Sequence, residues 1–221
     1  MQSSIEEKKV KIIPGILVSD LETIKKRIAM VDSYAYKIQI DVEDGSFTQN
    51  TTYTNIKEIE NVVSKTPLEL HLMVQNPRRF LPTKLIPVNK VLVHVEASLF
   101  ERDVLEEIRD RGFETGLAVN PETMLYEIEP FLEICGCVQF MTIHPGFSGD
   151  KLLPKVLEKI KEFSLMYPDI PIEVDGGIHK ENILEVVKSG ATLLEVNSAV
   201  FGNDRNPLEN IKELELLCKN L

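Results

Sequence analysis

A chain of 221 residues, 43% of them hydrophobic and with no low-complexity tract, can bury a substantial core and is expected to form a single domain over residues 1–221. Its formal charge of −10 argues against a nucleic-acid binder, which would concentrate Lys and Arg against phosphates. A small anionic ligand stays open, because backbone N–H groups bind phosphate whatever the net charge. Three cysteines, Cys135, Cys137 and Cys218, follow no metal-ligand spacing and suit free thiols in a reducing compartment. The opening "MQSSIEEKKVK" has no apolar leader, and no run of about 18 apolar residues follows it. A cytoplasmic protein without a membrane span is expected, with residues 1–9 as a flexible N-terminal extension.

Eight short apolar runs follow in chain order: 10–17, 36–42, 68–74, 90–97, 115–120, 138–145, 170–177 and 192–198. Between several of them lie amphipathic stretches, at 19–33, 99–112, 151–167, 179–190 and 206–220. In the first, Leu21, Ile24, Ile28 and Val31 recur at intervals of three and four residues, and Ser19 with Glu22 has capping-box spacing. Strands alternating with helices imply parallel pairing with both faces covered. Eight repeats point to a single (β/α)8 TIM barrel, though its usual size is nearer 250 residues, so the helices must be short and the loops tight. A doubly wound open sheet is the alternative, but the first turn, "PGILVSD", lacks a G-x-G-x-x-G sequence.

In a barrel the active site lies at the C-terminal ends of the strands. Polar residues near those ends are Gln39, Asp41, Glu43, His71, His94, Glu96, Asn120, His144, Asp175, Asn197 and Ser198. Three glycine-bearing segments, "HPGFSGD" (144–150), "VDGGI" (174–178) and "VNSAVFG" (196–202), follow the last three strands, where barrel loops cradle phosphate. Period-2 alternation puts Gln39, Asp41 and Glu43 on one side of the second strand. An acid inside a barrel must be paired or metal-bound. Asp41, His71 and Asp175 therefore form either a divalent-metal site with acid–base carboxylates or a hydrogen-bonded interior group, and the pattern alone leaves both open. His94 and Glu96 read as interior hydrogen-bonding groups. His144 reads as a turn residue or a phosphate contact, and Asp44 with Gly45 as the turn leaving the second strand.

In this order, "PGILVSD", "IDVEDGSF", "LELHLMVQNP", "VHVEA", "FMTIHPGFSGDKLLPKVLEKI", "IEVDGGI" and "NSAVFG" resemble the ribulose-phosphate 3-epimerase family over nearly the whole chain. The resemblance implies a barrel of the ribulose-phosphate-binding type and a metal-assisted phosphoketose 3-epimerase, interconverting D-ribulose 5-phosphate and D-xylulose 5-phosphate through an enediolate. It implies Asp41 and Asp175 as the two proton-transfer carboxylates and Asp41, His71 and Asp175 as ligands of one divalent ion (Zn, Fe, Mn or Mg). Substrate and phosphate would be held by Gly15, His71, Gly146, Phe147, Ser148, Gly149, Gly176, Gly177, Asn197 and Ser198. Met73, Met141 and Glu43 would line the cavity, and a homo-oligomer is expected.

The departures from the family pattern fall in the same places. Gln39 stands for a histidine ligand, Glu43 for a methionine and Gly15 for a serine that contacts substrate; Ser46, Gln49, His144, Ser148, Asp150 and Asn197 also differ. The Gln39 carbonyl is a poorer ligand for zinc or iron than imidazole and suits manganese or magnesium. Glu43 is expected either to compensate, as a ligand or by hydrogen-bonding the Gln39 amide, or to turn into solvent at the rim. Competing functions are an epimerase of a six-carbon substrate such as allulose 6-phosphate and a non-catalytic sugar-phosphate binder that has lost its metal. A decarboxylating or carbon–carbon-bond-forming barrel is a third, opposed by the lack of a lysine in "DVED" where a D-x-K-x-x-D motif needs one.

Overall fold

The eight apolar runs become eight parallel strands in a computed structural model that describes residues 9–146 and 151–219. β1 (Lys11–Ile16), β2 (Ile38–Glu43), β3 (Leu68–Met73), β4 (Val88–His94), β5 (Glu114–Val119), β6 (Cys137–Met141), β7 (Ile172–Asp175) and β8 (Leu193–Val196) pair in chain order, and β8 returns to β1. The sheet is a closed barrel, not the open doubly wound alternative.

The helices explain how eight units fit the chain. α1 (Leu21–Val31), α3 (Arg102–Asp110), α5 (Pro154–Met166), α6 (Ile183–Lys188) and α8 (Pro207–Cys218) lie inside the five amphipathic stretches. The other crossovers carry single turns: α2 (Ile56–Ile59) after β2, a 3-10 turn at Pro77–Phe80 after β3 and α4 (Leu125–Ile128) after β5. A further short helix, α7 (Ser198–Phe201), follows β8. The expected Ser19–Glu22 capping box does not form. Asp20 caps α1 instead, its carboxylate accepting from Thr23 N at 2.8 Å, because the acid stands next to the first helical turn.

Alternation along the strands divides the molecule into two chemically different cores. Outward side chains such as Ile38, Ile40, Val42, Leu68, Leu70, Leu72, Val91, Val93, Phe140 and Val174 are buried against the helices, joined there by Ile24, Ile28, Val31, Val156, Ile160 and Phe163. Each such burial contributes about 1.5–3 kcal/mol. Inward side chains are largely polar: Gln39, Glu69, His71, His94, Gln139 and Glu173 are fully buried and lie on strands whose opposite face is aliphatic.

At the N-terminal strand ends, Lys90 pairs with Glu69 (3.1 Å) and Glu173, and Lys37 pairs with Glu114 (2.8 Å), around a cavity of about 570 Å³. These ion pairs occupy the N-terminal end of the barrel, and the acid–imidazole cluster lies at the opposite end. No helix among the described residues is long and apolar enough to cross a membrane. Of the expected 1–9 extension, residues 1–8 lie outside the described residues.

Candidate active site

β2 and β3 pair in a register that sets Asp41 beside His71, and β6 and β7 end together at Met141 and Asp175. Strand curvature across the closed barrel brings Asp175 to the other two. His71 Nδ1 is 3.2 Å from Asp41 Oδ1 and 3.1 Å from Asp175 Oδ2. One ligand atom from each of the three residues lies within 4.8 Å of the others, and all three side chains are buried.

Gln39 closes this triangle from below. Its Nε2 donates to Asp41 Oδ1 and to Asp175 Oδ2, each at 2.7 Å, and lies 3.3 Å from His71 Nδ1. Its Oε1 accepts from Gln139 Nε2 at 2.6 Å, which fixes which way the amide faces. Behind His71, its Nε2 lies 2.9 Å from His94 Nε2, and His94 Nδ1 lies 3.0 Å from Glu96 Oε2. Glu96 is held in turn by Asn120 N (2.8 Å) and the Thr123 hydroxyl. His94 and Glu96 are thus the interior hydrogen-bonding groups expected, and they extend the cluster into a chain.

The electrostatics separate the two aspartates. Burial pushes Asp41 above the usual carboxylate range, with the charge of Asp175 adding to it. Burial acts on Asp175 in the same sense, but hydrogen bonding to His71 and the charge of that imidazole hold it below the usual range. Burial alone would lower His71; the two aspartates reverse this and push it up to about 10. Burial lowers His94, against the hydrogen bond to Glu96, which acts to raise it.

Above the cluster, a cavity at the C-terminal mouth is lined by Asp41, Glu43, Met73, Met141 and Asp175 from the strands, and by Gly146, Gly176, Gly177, Asn197 and Ser198 from the loops. Gly176 and Gly177 have φ of 109° and 67°, and a Cβ on Gly176 would meet Ile143 at 2.4 Å, so this turn admits glycine alone. Asn50 donates to Gly146 O, latching the loop after β2 to the loop after β6. Phe147, Ser148, Gly149 and Asp150 lie outside the described residues.

Two expectations require correction, and for His144 the geometry favours the turn reading over the phosphate contact. Glu43 neither turns into solvent nor touches Gln39: it is 1% exposed, and neither carboxyl oxygen has a hydrogen-bond partner. It ends β2 at the mouth of the barrel, two residues beyond Asp41, and Gln139 holds the Gln39 amide instead. Gly15 is not at the cavity wall, because Glu195 of β8 fills the space beside it: a Cβ on Gly15 would lie 1.4 Å from Glu195 Oε1. His144 turns outward, its Nε2 2.8 Å from Glu122 Oε1, with about half its side chain exposed.

Two residues that strand-end reasoning passes over complete the site. Glu195 lines the cavity, and burial with the charges of Asp175 and Asp41 holds it well above the usual range. Gln139 is the single amide in the apolar run "VQFM". Both stand alone in aliphatic strands at inward positions, which is the available signal.

A closed parallel barrel carrying a buried carboxylate–imidazole cluster beside glycine turns at its C-terminal face defines a (β/α)8-barrel enzyme. A profile of the ribulose-phosphate 3 epimerase family matches residues 11–201, and the chain belongs to that family. A Bacillus subtilis (strain 168) protein named ribulose-phosphate 3-epimerase is 37% identical over 201 residues, covering 87% of this chain and 93% of that protein. One from Aquifex aeolicus (strain VF5) is 35% identical, covering 86% and 89%. The tryptophan synthase A-subunit of Pyrococcus furiosus shares the fold alone, with a TM-score of 0.69 at 17% identity over 96% of this chain and 98% of that one.

Proposed function

We propose that the chain is a pentose-phosphate 3-epimerase in which Asp41 and Asp175 transfer the C3 proton of a phosphorylated ketose between opposite faces. The observation that carries this reading is that two buried carboxylates from β2 and β7 flank one gap, each 2.7 Å from the same amide nitrogen. Inverting a carbon needs proton removal on one side and return on the other, hence two acids around one point. The surroundings shift the two carboxyls in opposite directions, Asp41 up and Asp175 down, and acid and base roles exchange when the reaction reverses.

The remaining residues bind and enclose. Loop groups at Gly146, Gly176, Gly177, Asn197 and Ser198 would hold the phosphate, together with Phe147, Ser148 and Gly149. Met73 and Met141, 4% and 3% exposed, cover the reacting carbon and keep water from the carbanionic intermediate.

The donor set fits one divalent ion, held by Asp41, His71 and Asp175. His71 turns Nε2 to His94, so that Nδ1 faces both carboxylates, and the ring is oriented before any ion arrives. Such an ion supplies polarisation of the substrate oxygens next to C3. Manganese or magnesium suits this oxygen-rich set better than zinc or iron. The family resemblance also carries a cytoplasmic homo-oligomer, which sedimentation tests.

The decisive experiment incubates the protein with ribulose 5-phosphate in D2O with Mn2+ or Mg2+ and reads deuterium at C3, with allulose 6-phosphate alongside. Incorporation lost in Asp41→Asn and Asp175→Asn is expected. Sugar-phosphate binding with no exchange under any divalent ion would overturn the proposal in favour of a non-catalytic binder.

A further inference from the structure

We infer that Gln39 is a built-in occupant of the cation position, and that a divalent ion enters only when the amides of Gln39 and Gln139 turn over together. This rests on the metal-site reading of Asp41, His71 and Asp175 given above.

The Gln39 nitrogen lies in the middle of the three ligand atoms, 2.7, 2.7 and 3.3 Å away. An amide NH2 group has two hydrogens and no lone pair to give a cation, and both hydrogens here are taken by carboxylates. It satisfies the facing carboxylate oxygens by hydrogen bonding, where a cation would do so by charge, and binds no cation itself. To become a ligand the side chain must rotate its amide by half a turn and present Oε1.

Gln139 opposes that rotation. It donates to Gln39 Oε1 at 2.6 Å and to Glu173 Oε1 at 3.0 Å, so a rotated Gln39 would set donor against donor. The clash disappears if Gln139 rotates as well, because its own Oε1, buried and without a hydrogen-bond partner, then accepts from Gln39 Nε2. The paired rotation gives up the donation of Gln139 Nε2 to Glu173 Oε1 (3.0 Å) and its longer contact with Asp175 Oδ2 (3.4 Å), so the ion-free arrangement keeps buried hydrogen bonding that the loaded one loses. Loading is therefore weaker than at a site with a fixed ligand, and it is gated by two amides.

The test measures Mn2+ affinity by competition with a chromogenic chelator, on chelator-stripped full-length protein and variants checked for folding by circular dichroism. When ionised, the carboxylate of Gln139→Glu only accepts and so favours turning the Gln39 NH2 away from the cluster, while Gln139→Leu removes the bias without adding a charge beside Glu173. Roughly five- to ten-fold tighter binding is expected in both, about the worth of one buried hydrogen bond. Gln39→Ala should bind Mn2+ no more weakly than the parent, since it removes an occupant. In 15N spectra, Mg2+ should move the Gln39 and Gln139 side-chain amide signals together. Gln39→Ala binding ten-fold more weakly, with neither Gln139 variant tighter, would make Gln39 an ordinary ligand and overturn the inference while leaving the metal site standing. Absence of Mn2+ and Zn2+ binding in the parent and every variant, Gln39→His included, would overturn the metal-site reading and this inference together.

Discussion

Gly15 and Glu195 share one volume: the carboxyl of Glu195 stands where any side chain on residue 15 would begin, with Oε1 1.4 Å from the ideal Cβ. The two strands are neighbours in the barrel, with Ile13 opposite Glu195 and Pro14 opposite Val196. A small residue on β1 and a long acid on β8 are thus a matched pair, and the loss of a side chain at position 15 is made up from across the ladder.

Gly15→Ser should therefore destabilise the protein by about 1–3 kcal/mol, the usual consequence of overpacking. Glu195→Val should relieve it. The double variant in urea denaturation should be more stable than the sum of the single changes by about 1–2 kcal/mol. Simple additivity would show that the two side chains do not compete for the same space.

Replacing either of the proposed proton-transfer acids, by Asp41→Asn or Asp175→Asn, should lower kcat for ribulose 5-phosphate by about 10²–10⁴-fold while KM changes little. Steady-state kinetics on the folded variants read this directly. Retained turnover in one of them would assign both proton transfers to the other carboxylate.

Glu43 should be dispensable for stability. Its carboxyl is buried with neither oxygen hydrogen-bonded, so Glu43→Met should raise the unfolding free energy by about 1–2 kcal/mol at neutral pH. A destabilised variant would reveal a partner for this acid.

The chain from Glu96 through His94 to His71 should govern how firmly the cluster retains a cation. With His94 Nδ1 3.0 Å from Glu96 and His94 Nε2 2.9 Å from His71, Glu96→Ala loosens the ring that orients Nδ1. Mn2+ affinity should fall by about ten- to a hundred-fold, as measured by equilibrium dialysis.

Asp44 gives a stability term with a defined pH window. Partial burial would raise its pKa, but the backbone N–H groups of Phe47, Ser46 and Gln75 outweigh this and hold it below the usual range. The folded pKa lies below the unfolded one, so its stabilisation is fully present above the ordinary carboxylate pKa of about 4 and is lost as pH falls through the lowered folded value. Asp44→Ala should cost about 1 kcal/mol at pH 7, discounted for solvent at this half-buried turn. The cost should vanish in acid, as thermal melts across pH would record.

Much of the architecture was legible from periodicity. The eight apolar runs and five amphipathic stretches are local patterns, and local patterns survive into strands and helices because each buries its own face. The single-turn crossovers at Ile56–Ile59, Pro77–Phe80 and Leu125–Ile128 were not, since a few residues hold no period. Asp41, His71 and Asp175 could be picked out as acids and an imidazole at strand ends, and the glycine turns by their composition. Glu195 and Gln139 escaped because a search of strand ends passes over them; a lone polar residue at an inward position signals interest but not which group it meets.

The sequence by itself determined which residue types reach the barrel interior, because alternation along a strand is a property of the chain. Only the tertiary structure decided what they meet there. Closing the sheet brings β7 within hydrogen-bond distance of β2 and β3, so Gln39, 136 residues from Asp175 along the chain, lies between the aspartates, with its direction set by Gln139. A residue read from sequence as a weak ligand has, in the folded chain, its amide nitrogen among the three candidate ligand atoms.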